Sequence, residues 1–111
     1  EGMYLVRGRN QGLPIVIHYS SPVLLIRMKL MDLPRDGAGP AELYRALLEL
    51  NATDVVHGAY GIEEGELILS DTLELETLDY HELQASVESM ELAASGHMER
   101  IRALAGVEAE G

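Results

Sequence analysis

Residues 23–31, VLLIRMKLM, decide how the rest of this 111-residue chain is read. In extended backbone successive side chains point to opposite faces, so Leu24, Ile26, Met28 and Leu30 share one face. Val23, Leu25, Arg27, Lys29 and Met31 share the other, and the stretch predicts a strand with one uniformly apolar side. Upstream, Ser20, Ser21 and Pro22 break it from residues 13–19, LPIVIHY, a second strand rich in β-branched and aromatic side chains. There Ile15, Ile17 and Tyr19 fall on one face, and Val16 and His18 on the other. Residues 3–8, MYLVRG, predict a first strand, and residues 9–12, RNQG, a turn. Connections this short fit an antiparallel meander, because parallel strands need a long crossover.

Downstream, residues 32–39 (DLPRDGAG) form a loop, and Pro40 suits the first turn of a helix through Leu50. Leu43, Leu47 and Leu50 recur at helical spacing with Tyr44 and Leu48 beside them, and Asn51 is a helix stop. Residues 55–62 and 66–75 predict a hairpin turned by Glu63, Glu64 and Gly65, and Gly58 and Gly61 mark a bulge or a close backbone approach. Asp79 followed by Glu82 has the capping-box spacing. A final helix then runs to about residue 104 on a stripe of Leu83, Val87, Met90, Ala94, Met98 and Ile101. Gly96 inside it marks a bend or a close contact. The order β-β-β-α-β-β-α is α+β: an antiparallel twisted sheet of about five strands with helices, read as a single domain over residues 1–111.

Composition narrows the function. The chain carries 8 Lys and Arg against 19 Asp and Glu, a formal charge of −11. Such a balance repels nucleic-acid phosphates and anionic membrane surfaces, so neither is expected as a partner. The charge is uneven: residues 1–35 sum to +3 (five basic, two acidic) and residues 36–111 to −14 (three basic, seventeen acidic). From Asp54 to Glu99 there is no Lys or Arg, which makes either a solvated surface or a face that steers basic partners. No apolar run reaches the length of a bilayer span and no export leader is visible, and the absence of Cys suits a reducing cytoplasm.

Chemistry finds little anchor. The histidines at 18, 57, 81 and 97 lack the spacing of a helical metal pair, and no HExxH is present. The acidic run 71–79 lacks a calcium-loop pattern, and the serines lack a G-x-S-x-G setting. No catalytic residue, metal or cofactor is expected. The five methionines suggest an adaptable surface, although Met28 and Met90 fit a core.

The stretches MYLVRG, LPIVIHYSSPVLLIRMKLMDLP, AELYRALLELNAT and VHGAYGIEEGELILSDTLELETLDYHEL resemble the YbjN-like proteins. That family is grouped with the class I type III secretion chaperones of the Tir-chaperone type. The resemblance spans residues 3–104 and implies a small, acidic, non-enzymatic and usually dimeric protein that holds a non-globular client segment against apolar patches. The helix between the two halves of the family's sheet matches residues 41–50 and commonly lies at the dimer contact. Leu43, Tyr44, Leu47 and Leu48 therefore become interface candidates, with core packing as the alternative. The family usually starts with an amphipathic helix before its first strand, whereas this sequence opens at Glu1 and Gly2 directly on that strand, so the helix is expected to be either trimmed from the sequence or absent.

Residues 23–26 are apolar on both faces, so two helices leave four to six large side chains to be hidden. That amounts to on the order of 10 kcal/mol at about 1.5–3 kcal/mol each. From this excess a partner, a second subunit or a missing helix is expected to hide that face; together with the resemblance, the expectation is a cytoplasmic homodimer that binds a client through Ile15, Ile17, Val23 and Leu25. The alternatives are a structural or regulatory homodimer without a client, and a small-ligand sensor centred near His57 and Tyr60.

Overall fold

The computed structural model describes residues 2–6, 14–33 and 41–106. Five strands form one sheet: β1 (Gly2–Val6), β2 (Ile15–Ser20), β3 (Val23–Asp32), β4 (Ala59–Glu63) and β5 (Glu66–Glu74). The helices are α1 (Ala41–Thr53) and α2 (Tyr80–Ala105), the latter entered through a short 3₁₀ turn at Leu75–Thr77. The strand order is β1-β2-β3-β5-β4 with every pairing antiparallel, which makes this a twisted α+β sheet. The expected turn at residues 9–12 and the expected loop at 34–39 lie outside the described residues.

Both helices cover one face. Leu24, Ile26, Met28 and Leu30 of β3 are buried there with Ile15, Ile17, Leu67, Leu69 and Tyr60, against Leu43 and Leu47 of α1 and Met90, Ala94 and Ile101 of α2. A β-bulge after Lys29 sets Met31 opposite Leu67, turning Met31 toward this core as well. The sum of uncovered surface expected from the sequence is therefore too large. None of residues 23–26 is exposed: Leu24 and Ile26 lie under the helices, and Val23 and Leu25 are half-buried on the other face.

That other face carries no helix among the described residues, and ion pairs shield part of it. Ile68 lies there opposite Lys29 and Gly61, yet is only 7% exposed. The Arg27–Glu63 ion pair (2.9 Å) reaches from β3 to β4 across β5, and the register places Ile68 between the two partners. Lys29 meets Asp32 at 3.0 Å and Glu66 at 3.2 Å beside it. Exposed pairs of this kind add little stability. Their aliphatic stems, however, can lie over apolar surface while the charged heads stay wet.

Local signals explain the element ends. Glu64 and Gly65 both have positive φ (52° and 79°), so β4 and β5 are joined by a two-residue turn of the type hairpins favour. The capping box at α2 is present: Asp79 accepts from the Glu82 N–H at 2.8 Å while Glu82 accepts from the Asp79 N–H at 3.3 Å. Strand β4 begins at Ala59, not at residue 55, because Gly58 has φ +89° and packs against the β5 backbone. A Cβ there would meet the Ser70 carbonyl oxygen at 2.7 Å, which is the close approach expected at this glycine. Gly61 and Gly96 face open space, so the bulge or close approach expected at Gly61 and the close contact expected at Gly96 are absent. Helix α2 runs unbroken past Gly96 from Tyr80 to Ala105.

A candidate docking groove between α1 and the edge strand

Strand β4 lies at one edge of the sheet, with β1 at the other, and α1 runs beside β4. Between them opens an apolar groove of about 250 Å³ lined by Tyr44, Leu47, Leu48, Asn51, Tyr60 and Ile62. Leu48 is 68% exposed and Ile62 54% exposed on its rims. No lining side chain is charged, which is notable in a chain of net charge −11. Of the four interface candidates, Leu43 and Leu47 are buried in the core, Tyr44 is half-buried and Leu48 stands free. Tyr44, Leu47 and Leu48 meet in the groove; Leu43 does not line it.

Asn51, expected to stop α1, does something else: the helix continues to Thr53. The Asn51 carboxamide donates to the Tyr60 carbonyl (3.2 Å) and accepts from the Tyr60 N–H (2.7 Å). It thus closes the outward-facing backbone of the edge strand at that residue, the position where edges invite unwanted pairing. Asn51→Ala is expected to lower stability by about 1–2 kcal/mol in chemical denaturation, since it strands two backbone groups that water only partly reaches. Asn51→Asp should cost more, because it keeps the acceptor but sets a carboxylate against the Tyr60 carbonyl.

Behind the groove wall, Tyr60 enters a hydrogen-bonded chain. His97 Nε2 lies 2.5 Å from Asp54 Oδ2, just beyond α1, and Tyr60 Oη lies 2.8 Å from His97 Nδ1. A carboxylate only accepts, so in the neutral ring Nε2–H donates to Asp54 and Nδ1 accepts from the Tyr60 O–H. Burial, reinforced by the Asp54 charge, pushes the Tyr60 phenol up to about 12. The phenol therefore keeps its proton at neutral pH and is a poor nucleophile. The unfolded chain releases this proton near pH 10 and the folded chain near 12, so stability falls as pH rises through that window. Denaturation midpoints between pH 9 and 11.5 should drop more steeply for the wild type than for Tyr60→Phe.

The client candidates do not share a face. Ile15 (0% exposed) and Ile17 (8%) sit in the core opposite Met28 and Ile26, and cannot touch a partner while the helices are in place. Val23 and Leu25 lie on the helix-free face. There the cross-strand row Met3–His18–Leu25–Thr72 runs next to Val16–Arg27–Ser70–Ala59. His57 and Tyr60 do not converge: His57 lines a separate polar hollow with His81, Glu74, Asp79 and Glu82, and Tyr60 bonds His97. Among the described residues no group of three or more metal-binding side chains is assembled. No described helix is long and apolar enough to cross a membrane. Residues Asn51, Asp54 and His97 carry no sequence signal for these roles, since their partners lie 9 to 43 positions away.

A family model for CesT_Tir_1, the type III secretion chaperones, matches residues 1–106. The chain belongs to this family of secretion chaperones. The family's fold is also found in solved structures. A chain of the heterodimeric ExoU–SpcU complex from the type III secretion system of Pseudomonas aeruginosa superposes with a TM-score of 0.72 at 17% identity, covering 95% of this chain and 84% of that one. A chain of the HopA1–SchA chaperone–effector complex superposes at 0.57 with 15% identity, covering 85% and 73%. No curated protein matches the chain by sequence. At these identities the likeness to solved structures is one of fold, and membership in the chaperone family rests on the match along the chain.

Proposed function

We propose that this chain is a non-enzymatic, cytoplasmic chaperone that holds an extended segment of a protein client, and that two copies pair through the α1–β4 groove. The observation that carries the pairing is the uncharged groove with Leu48 and Ile62 standing out from it. Elsewhere two copies of so acidic a chain repel each other, and an uncharged apolar face is where they can meet. The exposed side of α1 is also self-complementary: Arg45 and Glu49, one turn apart and 3.2 Å from each other, sit beside Leu48. A two-fold copy presents its Glu49 to Arg45 and its Arg45 to Glu49.

Client binding is supported by family membership and by relatives whose solved structures are chaperone–effector complexes. The surface we assign to it is the helix-free face around Val23 and Leu25, bordered by the exposed Met3. Neither residue carries the core, so Leu25→Glu can be made without emptying it. On an array of extended apolar peptides, the wild type is expected to retain a subset and Leu25→Glu to lose those spots at least tenfold. A dimer that retains no peptide would favour the reading as a structural homodimer without a client. Equal retention by the variant would move the client surface elsewhere.

A further inference from the structure

The ladder between β4 and β5 stops short of the end of β5. Strand β4 pairs with β5 only from Glu63 and Glu66 to Ala59 and Ser70, whereas β5 continues to Glu74 beside β3. Gly58, with φ +89°, turns the chain aside just where the ladder would reach Asp71. Residues 71–74 therefore have a strand on one side only among the described residues. The Leu75 N–H donates to the Pro22 carbonyl at 3.0 Å, so alternate residues back from Leu75 turn their backbone groups toward β3. Thr72 and Glu74 face the open side instead, and the Asp71 carboxylate accepts from the Thr72 N–H at 2.9 Å. Beyond this edge lies the polar hollow of about 440 Å³, bounded by His57 and by Asp79, His81 and Glu82 at the start of α2. Asp79 and Glu82 each give one oxygen to the α2 cap, and no Lys or Arg occurs between residues 54 and 99 to balance the carboxylates.

We propose that the open end of β5 is a docking site for a basic, extended segment of the client. The segment continues the sheet past Gly58, its backbone pairing with Thr72 and Glu74. A carbonyl of the segment takes over the Thr72 N–H and frees the Asp71 carboxylate. A Lys or Arg side chain of the segment then answers that charge and the charge of Glu74. A neutral or acidic segment displaces the same carboxylate and leaves it unanswered, so Asp71 guards the edge against it. The cross-strand row Met3–His18–Leu25–Thr72 ends at this edge, so the site continues the helix-free face assigned to the client. The inference rests on this chain holding a client and names the chemistry of the segment held.

Fluorescein-labelled peptides of alternating Thr and Val, with a single central Lys, Gln or Glu, test the site by fluorescence anisotropy. At low salt the Lys peptide should bind about tenfold tighter than the Glu peptide, with the Gln peptide between them. Methylating the backbone nitrogens of the Lys peptide should abolish its binding, which charge attraction alone would survive. Glu74→Lys should reverse the order of the Lys and Glu peptides. Asp71→Asn, which keeps an acceptor for the Thr72 N–H without the charge, should narrow it. Amide NMR shifts on adding the Lys peptide should centre on Thr72 and Glu74, and circular dichroism verifies that both variants are folded. Equal affinity for the three peptides, undiminished binding after methylation, or shifts away from the end of β5 overturns the docking site. Peptide binding that is then still lost in Leu25→Glu leaves the client reading standing. A wild type that binds none of these peptides overturns the site as well, and the array of extended apolar peptides then decides the client reading by itself.

Discussion

Leu48→Asp is expected to weaken self-association at least a hundredfold while leaving the fold untouched. In the single chain Leu48 already stands 68% in water, so the substitution falls in the class of surface changes that shift stability by less than about 0.5 kcal/mol. In a two-fold pair the same residue occurs twice at the centre of the contact. Each copy forfeits about 1.5–3 kcal/mol of apolar burial and forces a carboxylate out of water beside uncharged Tyr44, Leu47 and Ile62. Every 1.4 kcal/mol is tenfold in affinity, so the combined loss of about 3–6 kcal/mol from the two copies reaches two orders of magnitude or more. Sedimentation equilibrium reads the effect, and far-UV circular dichroism with a thermal scan verifies that the monomer is folded. A variant that still dimerises would move the contact off α1 and β4.

Leu67→Ala is the substitution expected to damage the fold most. Leu67 is fully buried on β5, which has β3 on one side and β4 on the other, and it pairs with Met31 across one ladder and Ile62 across the other. Removing a leucine side chain from such a site costs about 2–5 kcal/mol, depending on how far the neighbours collapse. At roughly 4 °C per kcal/mol for a domain of this size, the midpoint of a thermal scan should fall by about 8–20 °C. Leu25→Ala on the neighbouring strand serves as the contrast. It removes the same atoms from a half-buried position on the helix-free face, and its midpoint should fall far less. Equal losses at the two sites would mean that the helix-free face is packed as tightly as the core.

Much of the fold follows from local chemistry. The alternation in residues 23–30, broken at Met31 by the bulge, the leucines at helical spacing in α1, the Glu64–Gly65 turn and the Asp79–Glu82 capping box each act over a few residues, and each recurs in the structure. The strand register needed more than local chemistry. Period two separates Ile15 and Ile17 from Val16 and His18, but it does not say which set pairs beside Leu24 and Ile26 under the helices. That depends on how β2 and β3 align across Ser21 and Pro22, and the alignment places Ile17 opposite Ile26. For this reason Ile15 and Ile17 belong to the core, and Val23 and Leu25 alone face away from it. The groove was half legible, through Tyr44, Leu47 and Leu48. Asn51 and the Asp54–His97–Tyr60 chain were not, because each links elements that only the folded chain brings together.

The ion pairs on the helix-free face offer a practical handle. Lys29 is the chain's only lysine, and it stands on that face between Asp32 and Glu66. Its hydrogen bonds to those two carboxylates, Asp32 foremost, hold its pKa above the usual lysine value, so the amine stays charged and reacts slowly near neutrality. An acylating reagent applied at mildly alkaline pH can therefore modify no other lysine. The extent of that single modification becomes a footprint: whatever covers the face shields one amine, and mass spectrometry counts the loss.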